Sequence, residues 1–491
     1  MRQLHTPIDA ARWLQGRVRG QLHCDSRKVR AGDGFVAWPG AATDGRKHVA
    51  AALAQGATAC LVEQEGVEAF GFSQDAIASY AQLKAATGPI AAAYYAEPSE
   101  QLQVLAVTGT NGKTSTAWWL AQALSSLPGN AWPCAVIGTL GVGRPPHVQT
   151  TGLTTPDPVL LQGEFRRFVD EGLKACAIEA SSIGIAERRL DGTRIPVAIF
   201  TNFTQDHLDY HGTMDAYWSV KESLFRWPGL RAAVVNIDDA NGVELMTALQ
   251  DSGLDLWPVS TEHHARLQAV DIGYGDEGLH FTVLEGGERV ALETSVIGHY
   301  NVSNLLGVIG AMRALGVPLQ AAVAGCAGLL PVPGRMERLS APGRPLVAVD
   351  YAHTPDALDK ALQALRPLAQ QRGGSLWCVF GCGGDRDPTK RPLMAAVAEK
   401  NADRVVVTSD NPRNEKPETI ISQILLGLSH ADCVEVQADR ARAIAEIVAA
   451  AAPADVILLA GKGHESYQEV AGMKHAFDDR VHARKALEGR A

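Results

Sequence analysis

Short runs of β-branched and other apolar residues recur along the chain, each closed by a polar or glycine-rich turn, and that rhythm predicts the elements. Val104-Leu105-Ala106-Val107 reads as a buried strand that enters Thr108-Gly109-Thr110-Asn111-Gly112-Lys113-Thr114, and a helix is expected over residues 115–124. Ahead of it, residues 35–38 and 59–62 read as strands around an alanine-rich helix at 48–55, and Pro98 in the polar stretch 97–101 marks a linker. Behind it, strands at 135–137, 175–178, 197–200 and 233–235 alternate with helices at 158–170 and 214–225. Four further buried-type strands, at 346–349, 377–380, 405–407 and 456–459, each end in a polar cluster. Such alternation predicts an α/β protein whose sheets are mostly parallel, because parallel strands need crossover helices that cover both faces.

The turn after residue 107 carries the sharpest chemistry. A strand, two glycines, then Lys113-Thr114 opening a helix is the order of a nucleoside-triphosphate site. Glycine permits backbone angles that aim successive N–H groups inward, and the helix start adds the positive end of its dipole. Lys113 can meet the outer phosphates as a point charge, with the Thr114 hydroxyl placed for Mg²⁺. A strict G-x-x-x-x-G-K-[ST] loop requires glycine where Val107 stands, so this loop is a variant.

At 491 residues the chain exceeds one ordinary core. Breaks at Pro98 and Gly334 divide it into three domains: a small amino-terminal α/β unit at 1–97, a central P-loop ATPase-type mostly parallel sheet at 98–333, and a Rossmann-like α/β unit at 334–491. The 45 Lys and Arg against 54 Asp and Glu give a net charge of −9 without a long basic stripe, which argues against nucleic acid as a partner. No run approaches the ~18 apolar residues a membrane helix requires, and residues 1–16 lack an apolar signal core, so a cytoplasmic location is expected. Eight scattered cysteines without a CxxC pair read as buried free thiols rather than a zinc site or a disulfide framework.

Other candidates fall at the same strand ends. Glu179, with Thr114, could hold one Mg²⁺ against the phosphates, although a lone glutamate after a strand is more often a solvated turn residue. Asp206-His207-Leu208-Asp209-Tyr210-His211 places two histidines at i, i+4, but Leu208 stands where a zinc protease needs glutamate. Lys221, taken alone, reads as an exposed lysine. Arg413, in Asp410-Asn411-Pro412-Arg413, offers a planar fork beside a rigid turn, and Arg391 could supply a second, which suggests an acidic small substrate.

Together, Thr108 to Thr114, Glu179-Ala180-Ser181-Ser182, Thr201-Asn202, Asp206-His207-Leu208-Asp209, His299-Tyr300-Asn301-Val302-Ser303-Asn304, Gly334-Arg335-Met336-Glu337 and Asp350-Tyr351-Ala352-His353-Thr354-Pro355 closely resemble the ATP-dependent Mur ligases of peptidoglycan synthesis. The resemblance covers essentially the whole chain. Asp410-Asn411-Pro412-Arg413 points within that family to the branch adding meso-diaminopimelate to UDP-N-acetylmuramoyl-L-alanyl-D-glutamate. It implies that Arg413 grips the distal carboxylate of diaminopimelate, with Arg391, Asp410, Asn411, Pro412, Gly461 and Glu465 at the other acceptor positions.

The same resemblance implies ATP contacts from Gly109, Thr110, Asn111, Gly112, Lys113, Thr114 and Ser115, and nucleotide contacts from Asn301, Asn304, Arg335, Asp350 and His353. Cys24 and Ser26 fall where the family holds the uridine nucleotide, which makes the first domain the UDP-substrate domain. Thr154, Thr155, Ser181, Glu187 and Arg189 match positions for the rest of that donor. Lys221 matches a lysine that such ligases carbamylate, giving an anion that ligates a second Mg²⁺ beside His207; Lys113, Lys221 and His207 are thus the implied catalytic group. ATP and Mg²⁺ are the implied cofactors, and a monomer is expected, with no nucleic-acid or membrane partner. The sequence departs from the family at Ile183, where histidine is common, at Glu187, where glutamine is expected, and at Ala41-Ala42-Thr43. Rival readings are a lysine-adding Mur ligase, a folylpolyglutamate-type ligase and, from another class, a nucleotide-switch binding protein.

Overall fold

The structure is a computed structural model that describes residues 1–40, 43–275, 278–430 and 434–489. The departure at Ala41 and Ala42 lies outside the described residues. The chain packs as two compact units, one of residues 1–267 with 307–325 and one of residues 268–306 with 326–491. No helix among the described residues is long and apolar enough to cross a membrane.

The first unit holds two sheets. A five-stranded, all-parallel sheet runs in the order Arg2–Leu4, Ile77–Tyr80, Ala59–Glu63, Gly34–Ala37 and Leu22–His23. Helices Pro7–Gln15 and Leu83–Tyr94 bury Trp13, Leu14, Leu83 and Ile90 against it. The stretch expected as a linker instead forms a short helix, Pro98–Gln101, with proline at its first turn, where the missing N–H costs nothing.

The larger sheet places Gln103–Thr108 between Val197–Phe200 and Ala175–Glu179, all parallel. Ala232–Asn236 and Asp255–Ser260 extend one side, and Cys134–Gly138 extends the other before turning into the antiparallel strands Gly141–Arg144 and His147–Gln149. Every residue of Cys134–Gly138, Ala175–Glu179 and Val197–Phe200 is buried, as expected of strands covered on both faces. Helix Pro158–Asp170 matches the expected span; Asp157 caps it by accepting from the Val159 and Leu160 N–H groups, and its apolar stripe buries Leu161, Phe165 and Phe168. Full burial of each phenylalanine contributes about 1.5–3 kcal/mol. The expected helix at 214–225 is Met214–Ser223 followed by a tighter turn, Leu224–Arg226.

In the second unit, the parallel strands Leu346–Asp350, Val456–Ala460, Leu376–Phe380, Arg404–Val407 and Glu435–Val436 lie in that order, with Glu337–Leu339 antiparallel on one edge. This unit also holds the antiparallel ladder Leu279–Glu285 with Glu288–Glu293 and the hairpin Tyr467–Val470 with Met473–Ala476. Seven of the eight cysteines lie among the described residues, and all seven are free thiols.

Candidate active site

In the first unit the phosphate loop leaves its strand at Thr108 and enters the helix Lys113–Ser125. Gly109 and Gly112 have φ of 141° and 85°, angles an L side chain resists, and a Cβ at Gly109 would collide with the Thr201 hydroxyl. The neighbouring strand end clamps the loop. The Asn202 carbonyl accepts from the Thr110 N–H at 2.8 Å, its side-chain oxygen accepts from the Asn111 N–H at 3.0 Å, and the Thr201 hydroxyl donates to the Asn111 carbonyl at 2.6 Å.

Parallel pairing sets Glu179 beside Val107. Its carboxylate is buried and accepts from the Thr114 hydroxyl at 2.9 Å and from the Thr139 N–H at 2.7 Å. The solvated-turn reading of Glu179 therefore does not hold: Glu179 is the buried last residue of its strand, and Gly138 on the adjacent strand leaves the space its side chain fills. A hydroxyl and a carboxylate oxygen together at a helix start form an all-oxygen donor set, which fits a hard divalent cation such as Mg²⁺.

Two lysines converge on this loop. Lys113 Nζ donates to the carbonyls of Gly109 and Thr110 at 2.9 and 2.8 Å, and Lys221 Nζ donates to the same Gly109 carbonyl at 2.7 Å. Lys221 is 1 % exposed, not the surface lysine its local sequence suggests, and its Nζ lies 4.5 Å from the centre of the Tyr217 ring. Burial, reinforced by Lys113 and opposed by Asp206, holds its pKa well below the ordinary lysine value. His207 sits at a positive φ of 52°, and burial lowers its pKa too, with Asp206 opposing and Lys113 and Lys221 adding to the effect.

The predicted donor residues also cluster. Thr154 and Thr139 hydroxyls lie 3.0 Å apart; the Thr155 hydroxyl donates to the Glu179 carbonyl at 2.7 Å and lies 2.8 Å from the Ser181 hydroxyl. Ser181 caps the short helix Ser182–Ala186, Glu187 follows its end, and Arg189 donates to the Thr155 carbonyl at 3.0 Å. Ser26 opens a turn capped by Asp25, and burial, then Asp157, raises the Cys24 pKa. A cleft of about 500 Å³ opens on the five-stranded sheet, lined by residues that include Trp38, Arg46, Glu63 and Lys84.

In the second unit, Asp410, Asn411, Gly461 and Glu465 meet at the ends of adjacent segments. Asn411 Nδ2 donates to Glu465 Oε2 at 2.7 Å, and Lys462, fully buried, donates to Asn411 Oδ1 and Glu465 Oε2, both at 3.0 Å. Burial raises the Asp410 pKa against the pull of Lys462 and Arg440, and Gly461, at φ 110°, leaves no room for a Cβ beside the Asp410 carboxylate. Pro412 leads into Arg413 at φ 50°; its backbone pairs with Glu469 and Ala471 of the hairpin, and its guanidinium donates to the Gly384 carbonyl at 2.7 Å. Arg391 lies deeper than a rim residue, 2 % exposed, with both terminal nitrogens on Glu415 at 2.8 and 2.9 Å.

The expected nucleotide residues of this unit form a second group. Asn304 donates to Asn301 at 2.8 Å, Asp350 accepts from the Met336 N–H at 2.7 Å, and the Arg335 guanidinium lies 4.5 Å over the Tyr351 ring. Burial raises the Asp350 pKa, opposed by Arg335. His353 Nδ1 lies 2.7 Å from the Tyr351 carbonyl oxygen. Sequence reasoning did not single out Thr139, Lys84, Glu415 or Lys462 as site residues. Only Lys462 carried a signal, its place inside the polar cluster 461–465.

In the first unit a glycine turn on a parallel sheet and the Thr114–Glu179 oxygen pair fit a nucleotide-binding enzyme, and comparison with known proteins identifies the class. Residues 107–312 match the Mur ligase middle domain, residues 334–463 the Mur ligase glutamate ligase domain, and residues 21–97 the catalytic domain of the Mur ligase family. The chain belongs to the Mur ligase family and is an ATP-dependent amide ligase. It is 62% identical to the UDP-N-acetylmuramoyl-L-alanyl-D-glutamate–2,6-diaminopimelate ligase of Acidovorax sp. (strain JS42), over 100% of this chain and 99% of the relative. The Pseudomonas aeruginosa protein of the same name is 45% identical over 95% and 94% of the two chains. A solved structure of a ligase of that name is 35% identical and superposes with a TM-score of 0.67, covering 96% and 94%. The MurF ligase of Thermotoga maritima, solved with ADP, shares the fold at 19% identity, a TM-score of 0.66 and 97% and 99% coverage.

Proposed function

We propose that this chain joins meso-diaminopimelate to the D-glutamyl residue of UDP-N-acetylmuramoyl-L-alanyl-D-glutamate, in peptidoglycan precursor synthesis. The observation that carries the reading is the Asp410–Arg413 turn. A guanidinium fork held by Gly384 suits a distal carboxylate, while the Glu465 carboxylate beside Asn411 suits an ammonium. Diaminopimelate carries both groups; lysine lacks the distal carboxylate.

An oxide is too poor a leaving group for direct amide formation. The D-glutamyl side-chain carboxylate attacks the γ-phosphorus of ATP, forming an acyl phosphate and releasing ADP. The acceptor amine then attacks the acyl carbon, loses a proton, and phosphate leaves from the tetrahedral intermediate. Lys113 and the helix start at residues 112–115 offset the charge on the transferring phosphoryl group. Thr114 and Glu179 would hold Mg²⁺, which when bound supplies charge neutralisation to the phosphates. Burial favours the neutral amine of Lys221, the form that adds to carbon dioxide; the resulting carbamate would join His207 as a ligand of a second Mg²⁺.

Thr154, Thr155, Ser181, Glu187 and Arg189 are assigned to the donor, Cys24 and Ser26 to its uridine end, and Asn301, Asn304, Arg335, Asp350 and His353 to the nucleotide. The reading includes domains at 1–97, 98–333 and 334–491, a monomeric chain in the cytoplasm, and neither nucleic-acid nor membrane partners. Phosphate release with the UDP-muramoyl dipeptide and each candidate amino acid tests it. Release only with diaminopimelate is expected. Release with lysine supports a lysine-adding ligase, and release without any amino acid supports a nucleotide switch.

A further inference from the structure

Glu187 is the departure that adds charge: a carboxylate stands where the family resemblance expects a neutral amide. It follows the helix capped by Ser181 and lies two residues from Arg189, among the groups assigned above to an anionic donor. A bare carboxylate there would repel the phosphates and carboxylates of that donor. The carboxylate is not bare. Lys84 Nζ lies 2.7 Å from Oε2, and the Tyr210 hydroxyl donates to Oε1 at 2.5 Å. Both oxygens are thus engaged, by residues 103 positions before and 23 positions after.

Each partner connects the carboxylate to a different part of the first unit. Lys84 stands in the first turn of helix Leu83–Tyr94 and lines the 500 Å³ cleft together with Arg46. Tyr210 belongs to the short helix Leu208–His211, three residues after His207, and His211 of the same helix lies 3.0 Å from the Ser182 hydroxyl. The segment bearing His207 is therefore pinned to the helix Ser182–Ala186 and its end at two points.

We propose that Lys84 is a positioning residue for donor binding: its ammonium neutralises Glu187, so that Glu187 can anchor Tyr210 without presenting free negative charge to the anionic donor. This rests on the donor assignment made above. The Lys84 side chain is 42% exposed and Glu187 28%, so the pair acts through local charge and geometry rather than through fold stability.

The test measures steady-state ligation in the full-length enzyme for Lys84→Met, Lys84→Gln, Glu187→Gln and the double variant Lys84→Met/Glu187→Gln. Either Lys84 variant leaves the carboxylate uncompensated, and the KM for the UDP-muramoyl dipeptide should rise about tenfold with kcat changing by less than about twofold. Glu187→Gln alone should lower that KM, because Lys84 becomes an unpaired cation facing an anion. The double variant should have a KM several-fold below that of Lys84→Met, because no uncompensated carboxylate remains. An unchanged KM in both Lys84 variants overturns the proposal. So does a double variant no better than Lys84→Met, since that pattern means Lys84 contacts the donor directly. Failure of the parent enzyme to ligate the dipeptide at all would instead overturn the donor assignment.

Discussion

Lys113 and Lys221 donate to one carbonyl, that of Gly109, at 2.9 and 2.7 Å. The Lys113 ammonium and the Lys221 amine thus share one peptide oxygen, and Lys113 brings positive charge to where the outer phosphates of a nucleotide would lie. Lys113→Ala should abolish ligation while leaving thermal unfolding nearly unchanged, because Lys113 is part-buried and donates to carbonyls of its own loop. Near-normal turnover in the variant would contradict the phosphate-loop assignment.

Lys221 should leave a mark on stability as pH varies. Its folded pKa lies well below the ordinary 10.5, so between that lowered value and 10.5 the unfolded chain binds more protons at this site. Stability contributed here therefore rises with pH across that window and levels off above it. In carbon-dioxide-free buffer, the melting temperature of the parent relative to Lys221→Met should climb from pH 7 toward pH 10; a pH-independent difference would mean that Lys221 is not buried as a depressed-pKa amine.

Arg413 should govern the acceptor and spare the donor. Loss of one charge-assisted pair costs about 1.5–3 kcal/mol, so Arg413→Ala should raise the KM for diaminopimelate roughly 10- to 100-fold with the dipeptide KM little changed. Arg413→Lys should recover only part of this, because an ammonium does not reproduce the planar fork. An unaltered diaminopimelate KM would count against the assignment.

Arg440 and Asp479 form an ion pair at 2.7 Å with both side chains fully buried. Arg440 also donates to the carbonyls of Ser409 and Ala460, the residues before Asp410 and Gly461. Removing one partner of such a pair leaves an uncompensated charge and costs about 3–5 kcal/mol. Arg440→Ala and Asp479→Asn should both lower unfolding stability by this order in denaturant titrations, and the milder variant should also weaken diaminopimelate binding.

The elements themselves were legible because their signals are local. Pro158–Asp170 and Val197–Phe200 fall where apolar periodicity and turn residues put them, and most other predicted elements differ only by a residue or two at their ends. The ladder Leu279–Glu285 with Glu288–Glu293 and the helices Tyr300–Ala314 and Leu319–Ala327 were not anticipated. Helix 300–314 is apolar on most sides and so has no amphipathic stripe to announce it. At the site, composition misjudged environments rather than residues: Glu179, the last residue of its strand, Lys221 and Arg391 are all buried.

By itself the sequence determined the strand, glycine turn and helix around residues 104–125, and the Asp-Asn-Pro-Arg turn. Those features act over a few neighbouring residues, through backbone angles and side-chain type. Tertiary structure alone decided that Glu179 reaches Thr114, that Lys221 loses its solvent, and that Lys84 neutralises Glu187. Each depends on which distant segments pair and what they exclude from water. Sheet register sets Glu179 beside Val107, so the position that lacks the usual glycine is the one against which the candidate metal ligand is aligned.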